Sequence, residues 1–251
     1  MTLTGKHALI TGGGTGIGLA IATALRGAGA EVTITGRRAD VLEAAASAHG
    51  LHALVMDVQD EASVVEGIAE AVAARGPIQI CVPNAGIAEG RALHKMDMAF
   101  WRNMMATNLD GTFLTIRESL KSMHQTDWGR VIAISSIAGL RGLKGAPCYT
   151  ASKHAMVGLI RGLAADYLGK PYTFNAICPA YVDTEIVPQN IDRIMARTGM
   201  SEDEARAVMV GANPHGRLIA PGEVAEAVLW LCAPQSGSVN GQAIQIAGGE
   251  F

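Results

Sequence analysis

The chain has 251 residues, 49% of them hydrophobic and 17% charged, with a formal net charge of −3 at pH 7. That length suits one large domain with a substantial core, or two small ones, and the charge balance offers no basic field for nucleic acid or an anionic membrane surface. No apolar run approaches the roughly 18–20 residues that cross a bilayer, and the opening MTLTGKHALITGGG lacks the regions of a secretion signal, so a soluble, cytoplasmic protein is the expectation.

The first expected strand is HALIT (7–11), followed by a helix from near Gly16. TGGGTGIG (11–18) joins them. Glycines at such a turn let backbone approach a pyrophosphate, which the free N–H groups and dipole of a helix N-terminus favour. A Walker loop is excluded, because Leu19 rather than lysine follows Gly18, and the Gly-x-Gly-x-x-Gly fingerprint does not fit either. Gly-x-x-x-Gly-x-Gly does fit, with Gly12, Gly16 and Gly18. Tight strand–helix packing would use the same glycines.

A second strand, EVTIT (31–35), ends at Gly36 and Arg37, where an NAD-preferring dinucleotide fold usually carries an acid. A guanidinium binds a 2′-phosphate bidentately and a carboxylate repels it, so NADP is favoured over NAD, with Arg37 as the contact. The third strand, HALVMDV (52–58), places Asp57 where it could accept from an adenine amino group or cap the next helix, EASVVEGIAEAVAA. IQICVPNAG (78–86) is a strand ending in a turn, and residues 98–123 read as one long or broken helix. RVIAISS (130–136) and YTFNAIC (172–178) are strands on either side of a helix that begins near CYTASKHAMVG (148–158). A helix at PGEVAEAVLWLCA and a last strand at GQAIQIAG close the chain.

This strand–helix alternation, with continuous apolar strands, predicts a Rossmann-like doubly wound parallel sheet flanked by helices on both faces. No linker or repeat interrupts it, so residues 1–251 form a single domain for cofactor and substrate. The excursion at about 184–215 is longer than an ordinary connection and is expected to be a substrate lid.

The four cysteines are far apart and form no Cys-x-x-Cys pair, and the histidines show no His-Glu-x-x-His spacing. No Gly-x-Ser-x-Gly elbow occurs. No metal is expected, and triad hydrolysis loses ground. Tyr149 and Lys153, by contrast, stand one helical turn apart on the same face.

The ordered set TGGGTGIG (11–18), NAG (84–86), Asn108 in NLDGTF, ISS (134–136), Tyr149-x-x-x-Lys153, CPAYVDT (178–184) and the late glycine pair at 248–249 resembles the short-chain dehydrogenase/reductase family along essentially the whole chain. The resemblance implies an oxidoreductase passing a hydride between a nicotinamide cofactor and a secondary alcohol or ketone. Tyr149 would be the general acid in reduction and the general base in oxidation. A neighbouring ammonium and an oxidised nicotinamide would lower its pKa, with Lys153 supplying the charge and holding the ribose. Ser136 would hold the substrate oxygen, with Ser135 on the opposite strand face, and Asn108 would hold a relay water; for Asn108 a side-chain-to-backbone bond is the alternative. The cofactor would also meet Thr15, Ile17, Val58, Asn84, Ala85, Gly86 and Pro179, with Val182 and Thr184 on the carboxamide. Two positions depart from the pattern: Pro83 stands for an asparagine and Ala180 for a glycine.

The residues that grip a free carboxylate in the 3-hydroxybutyrate subgroup appear here as Ala88, Ala138 and Ala146, which disfavours a small acid. Ala138, Leu140 and Leu143, with Met195 and Met200 on the lid, suit a neutral ketone or an acyl thioester. Arg91 and Arg141 are candidates for carrier phosphates or are simply exposed loop residues. As a family expectation, helices at 97–124 and 147–168 pair between subunits of a homotetramer or homodimer. The alternatives are a cofactor-binding regulator without turnover, a 3-hydroxybutyrate-type dehydrogenase, or a sugar-nucleotide epimerase or dehydratase.

Overall fold

Strand β1 (His7–Thr11) is buried at every position and lies inside the sheet. The computed structural model describes residues 2–250, apart from the side chains at 186, 189, 190 and 197. Around β1 are β2 (Glu31–Gly36), β3 (His52–Val55), β4 (Ile78–Val82), β5 (Gly129–Ile134), β6 (Tyr172–Pro179) and β7 (Ala243–Ile246). They form one parallel sheet in the order β3-β2-β1-β4-β5-β6-β7. The order reverses between β1 and β4, and a crevice opens there beyond the strands' carboxyl ends.

Helices α1 (Gly16–Gly27), α2 (Ala39–His49) and α9 (Pro221–Cys232) cover one face, burying Ile21, Leu25, Leu42, Val224 and Val228 against Ile10, Ile34, Ile80 and Ile132. On the other face α3 (Glu61–Arg75), α5 (Gly111–Met123) and α6 (Pro147–Asp166) bury Val64, Ile68, Leu120, Met156 and Ile160 against Leu9, Cys81, Val131 and Phe174. Each such side chain contributes about 1.5–3 kcal/mol when fully buried.

Two expected elements are shorter or more broken than the sequence suggests. β3 stops at Val55, because beyond Met56 the chain folds into an Asx turn in which Gln59 N–H donates to Asp57 Oδ1 at 3.0 Å. Asp60, not Asp57, caps α3. The 98–123 helix is α4 (Met98–Met105) and α5 joined through a π-helical turn at Ala106–Asp110. Such turns are rare and favour functional positions, and this one carries Asn108. The excursion consists of α7 (Ile186–Thr198) and α8 (Glu202–Gly211), with a small core of its own formed by Val187, Ile191, Ala205 and Met209.

Candidate active site

The glycine turn at the end of β1 is locked to the turn after β4. Thr11 Oγ1 accepts from the N–H groups of Asn84 and Ala85 at 3.0 Å each, and Asn84 Nδ2 donates to the carbonyls of Thr11 at 2.9 Å and Gly12 at 3.2 Å. Gly12 has φ +64°, and a Cβ there would stand 3.1 Å from Ala85 Cα. A Cβ on Gly18 would strike the Gly12 carbonyl. Thr15 precedes α1 in extended conformation with no side-chain cap, so its helix presents free N–H groups outward. An anionic diphosphate fits this cradle on chemistry and on space.

A cavity of about 260 Å³ runs from the cradle along the ends of β2 and β3. It is bordered by Gly12 and Thr15, by Arg37 and Arg38, and by Asp57, Val58, Ala85 and Gly86. These include Arg37, Asp57, Val58, Ala85 and Gly86, positions expected for the adenosine half of a dinucleotide. Gly16 and Gly18 belong to the cradle itself, and Asn84 is bonded to it. Gln59 and Thr107 also border this cavity, and nothing local in the sequence marks them.

A second cavity of about 490 Å³ adjoins the other end of the cradle. Ile17, Ser136, Tyr149, Pro179, Val182 and Thr184 all line it. Thr184 leans on the glycine turn, within 3.2 Å of where a Gly16 Cβ would be. Ser136 sits past the end of β5 and accepts from the Ala138 N–H at 3.1 Å. Ser135 was expected on the opposite face, but it too borders the cavity, because strand alternation lapses after Ile134. Its hydroxyl turns away to the Lys153 carbonyl at 3.3 Å.

Lys153 is buried and donates to the Ile134 carbonyl at 3.0 Å, with Nζ 5.9 Å from the centre of the Tyr149 ring. Burial pulls its pKa down to about 8. Burial also raises the Tyr149 phenol above its ordinary value, reinforced by Tyr181, while the neighbouring Ser136 hydroxyl opposes it. The protein's own groups therefore raise the phenol's pKa, whereas the expected lowering includes an oxidised nicotinamide ring beside it. The ammonium is itself desolvated and directs its proton to a backbone carbonyl, so burial dominates at the tyrosine.

Asn108 is completely buried in the π-turn. Its Oδ1 accepts from Ile87 N–H at 2.8 Å, and Nδ2 donates to the Ile87 carbonyl and to Ser152 Oγ, both at 3.0 Å. Ser152 in turn donates to the Tyr149 carbonyl at 2.8 Å. The side chain is thus structural, joining the turn after β4 to the helix that bears the tyrosine.

The substrate side is apolar as expected at Ala88, Leu143 and Ala146, but several other positions differ. Ala138 is fully buried, and Ile137 takes its place on the wall; Leu140 packs into the core instead. On the excursion Val187, Ile194 and Met209 face the cavity, whereas Met195 packs into the excursion's own core and Met200 lies exposed. Arg141 pairs with Glu250. Arg91 lies 4.0 Å over the Phe100 ring and bonds Glu89 at 3.2 Å. The cations on the cavity are Lys144 and Arg193, the latter donating to the Ala88 carbonyl at 3.2 Å. Among the described residues no cluster of acids, histidines and cysteines could hold a metal, and no helix is long and apolar enough to cross a membrane. The four cysteines are buried and unpaired.

A glycine cradle at the switch point, beside a cavity lined by a tyrosine and a serine, defines a nicotinamide-dependent oxidoreductase. The family model for short chain dehydrogenases matches residues 6–194. An acetoacetyl-CoA reductase from Shinella zoogloeoides is 34% identical over 247 residues, covering 98% of each chain. A 3-oxoacyl-acyl-carrier-protein reductase from Aquifex aeolicus is 32% identical, covering 99% of this chain and 98% of its own. The crystal structure of an actinorhodin polyketide ketoreductase variant with NADPH superposes with a TM-score of 0.94 at 31% identity, covering 99% of this chain and 98% of that one. The chain belongs to the short-chain dehydrogenase family, whose members here are dehydrogenases and reductases acting on hydroxyl and keto groups.

Proposed function

We propose that the protein is an NADP-preferring reductase of ketones, and dehydrogenase of the matching secondary alcohols, with 3-oxoacyl thioesters in its range. The observation that carries this is a shared cavity: Tyr149 and Ser136 line it together with Ile17 of the glycine turn and Thr184, which leans on Gly16. Relatives named for acetoacetyl-CoA and 3-oxoacyl reduction support the acyl part of the reading. Ala88 and Ala146 stand on the wall where a 3-hydroxybutyrate-type dehydrogenase would carry carboxylate-gripping side chains, which tells against that reading; the cations on the wall are Lys144 and Arg193.

Gly12, Thr15 and the N-terminus of α1 would bind the diphosphate, with Gly16 and Gly18 giving it room and Asn84 bracing the turn. Arg37 would take the 2′-phosphate, with Asp57 and Val58 beside the adenine and Ala85 and Gly86 along the ribose. Ile17, Pro179, Val182 and Thr184 would hold the nicotinamide end. When bound, the reduced nicotinamide supplies the hydride and the oxidised ring accepts it. Ser136 orients the ketone oxygen. Tyr149 gives that oxygen a proton in reduction and removes one in oxidation, its raised pKa keeping the phenol protonated for the donor role. Lys153 supplies positive charge beside the phenol and a grip on the ribose. Asn108 holds the loop and helix in register, with its π-turn as the place for a relay water.

Residues 1–251 act as one domain, with α7 and α8 as the lid over the ketone. A homotetramer or homodimer in the cytoplasm is the proposed setting. Nicotinamide absorbance, followed with NADPH and NADH against a panel of ketones and acyl thioesters, tests the reading. Turnover of neutral ketones or thioesters with NADPH preferred is the expected result. Binding of NADPH without turnover of any member would favour a regulator and overturn it.

A further inference from the structure

Asn213 is 1% exposed and stands two residues beyond α8, where the helical excursion rejoins the domain. Its carboxamide reaches back to where the excursion departs. Oδ1 accepts from the Tyr181 N–H at 3.2 Å, and Nδ2 donates to the carbonyls of Tyr181 at 2.9 Å and Arg217 at 2.7 Å. A single carboxamide, carrying both a donor and an acceptor, can pair with both polar groups of one residue as a neighbouring strand would. Aspartate has the shape but lacks the donor.

Tyr181 lies at a junction. It borders the substrate cavity with Tyr149, and its ring packs on the excursion's core of Val187, Ile191, Ala205 and Met209. The next residues have separate support: Val182 bridges Ile219 in parallel, and Asp183 N–H donates to the Ile219 carbonyl at 2.9 Å. Ile219 N–H also donates to the Tyr181 carbonyl at 2.9 Å, which leaves the Tyr181 N–H to Asn213. Asn213 therefore governs the ring that walls the cavity more than the cofactor-facing residue beside it.

We propose that Asn213 is a positioning residue for the ketone: by tying both ends of the excursion together at Tyr181, it sets how that ring walls the substrate cavity. This rests on the ketone-reductase reading above.

The test is a double-mutant cycle on the full chain, with NADPH and the ketone it reduces best. Asn213→Asp should raise KM for the ketone about tenfold, lower kcat less, and leave the NADPH dissociation constant within about twofold. In a Tyr181→Ala background the same substitution should change KM no further. Asn213→Leu should act the same way where it folds, and Asn213→Asp carries the test where it does not. A loss that persists undiminished in the Tyr181→Ala background, or that falls on NADPH affinity, would overturn the positioning role while leaving the reductase reading intact. Absence of any Tyr149-dependent turnover in the wild type would instead sink that reading, and the role of Asn213 with it.

Discussion

The ammonium of Lys153 stands 5.9 Å from the centre of the Tyr149 ring and gives its hydrogen bond to the Ile134 carbonyl at 3.0 Å. Spacing on α6 brings the two together, but burial governs both. The phenol is harder to ionise than an ordinary tyrosine, and the lysine is easier to neutralise than an ordinary lysine. The buried ammonium is therefore costly to the fold, which is common where function dictates the residues.

That cost has a pH signature. Lys153 is held at about 8 against an ordinary 10.5. Between those values the unfolded chain binds a proton that the folded chain has lost, so stability rises with pH across that window. Below about 8 the folded protein bears the whole cost of a buried charge. Lys153→Met should accordingly melt higher at pH 7, by about 2–4 °C for each kcal/mol relieved, and the gain should fade as pH approaches 10.5. Its turnover should drop about 100-fold or more. A variant less stable than wild type at pH 7 would show that the ammonium stabilises the fold.

Arg37 should matter to one cofactor only. It borders the adenosine-side cavity with Gly36 rather than an acid before it. Arg37→Ala should reduce kcat/KM for NADPH roughly 10- to 100-fold, as expected for loss of a charge-assisted phosphate contact, and leave NADH within about threefold. Equal losses for both cofactors would remove the phosphate role.

Two glycines of α1 separate local propensity from close approach. Gly18→Ala would put a methyl against the Gly12 carbonyl and within 2.6 Å of Asn84 Nδ2. Thermal denaturation should show a loss of about 1–3 kcal/mol, and NADPH titration should show weakened binding. Gly27→Ala meets nothing within 4 Å and should leave binding unchanged. Normal binding by Gly18→Ala would mean the cradle can open without consequence.

The sheet was legible because its strands are continuous apolar runs: β1 has the bounds its residues suggest, and all five positions are buried. The proximity of Tyr149 and Lys153 was legible from helical spacing, but the role expected of them came from the family resemblance. Other features depend on partners distant in sequence. The π-turn at 106–110 follows the bonds of Asn108 to Ile87 and Ser152. Arg141 is committed to Glu250 at the other end of the chain, so it does not meet the cavity. Met195 and Met200 were assigned to the lid's inner surface from composition, but only the rotation of α7 and α8 decides that Ile194 and Met209 face inward. The direction of the tyrosine's shift depends on desolvation, which no short motif reports.

The central claim is that the Tyr149 hydroxyl moves the proton that accompanies reduction. Tyr149→Phe removes that oxygen and little else, so steady-state reduction of the best ketone should be set beside NADPH binding followed by fluorescence. Turnover should fall about 1,000-fold or more, with the NADPH dissociation constant within about twofold of wild type. Turnover close to wild type in that variant would contradict the account.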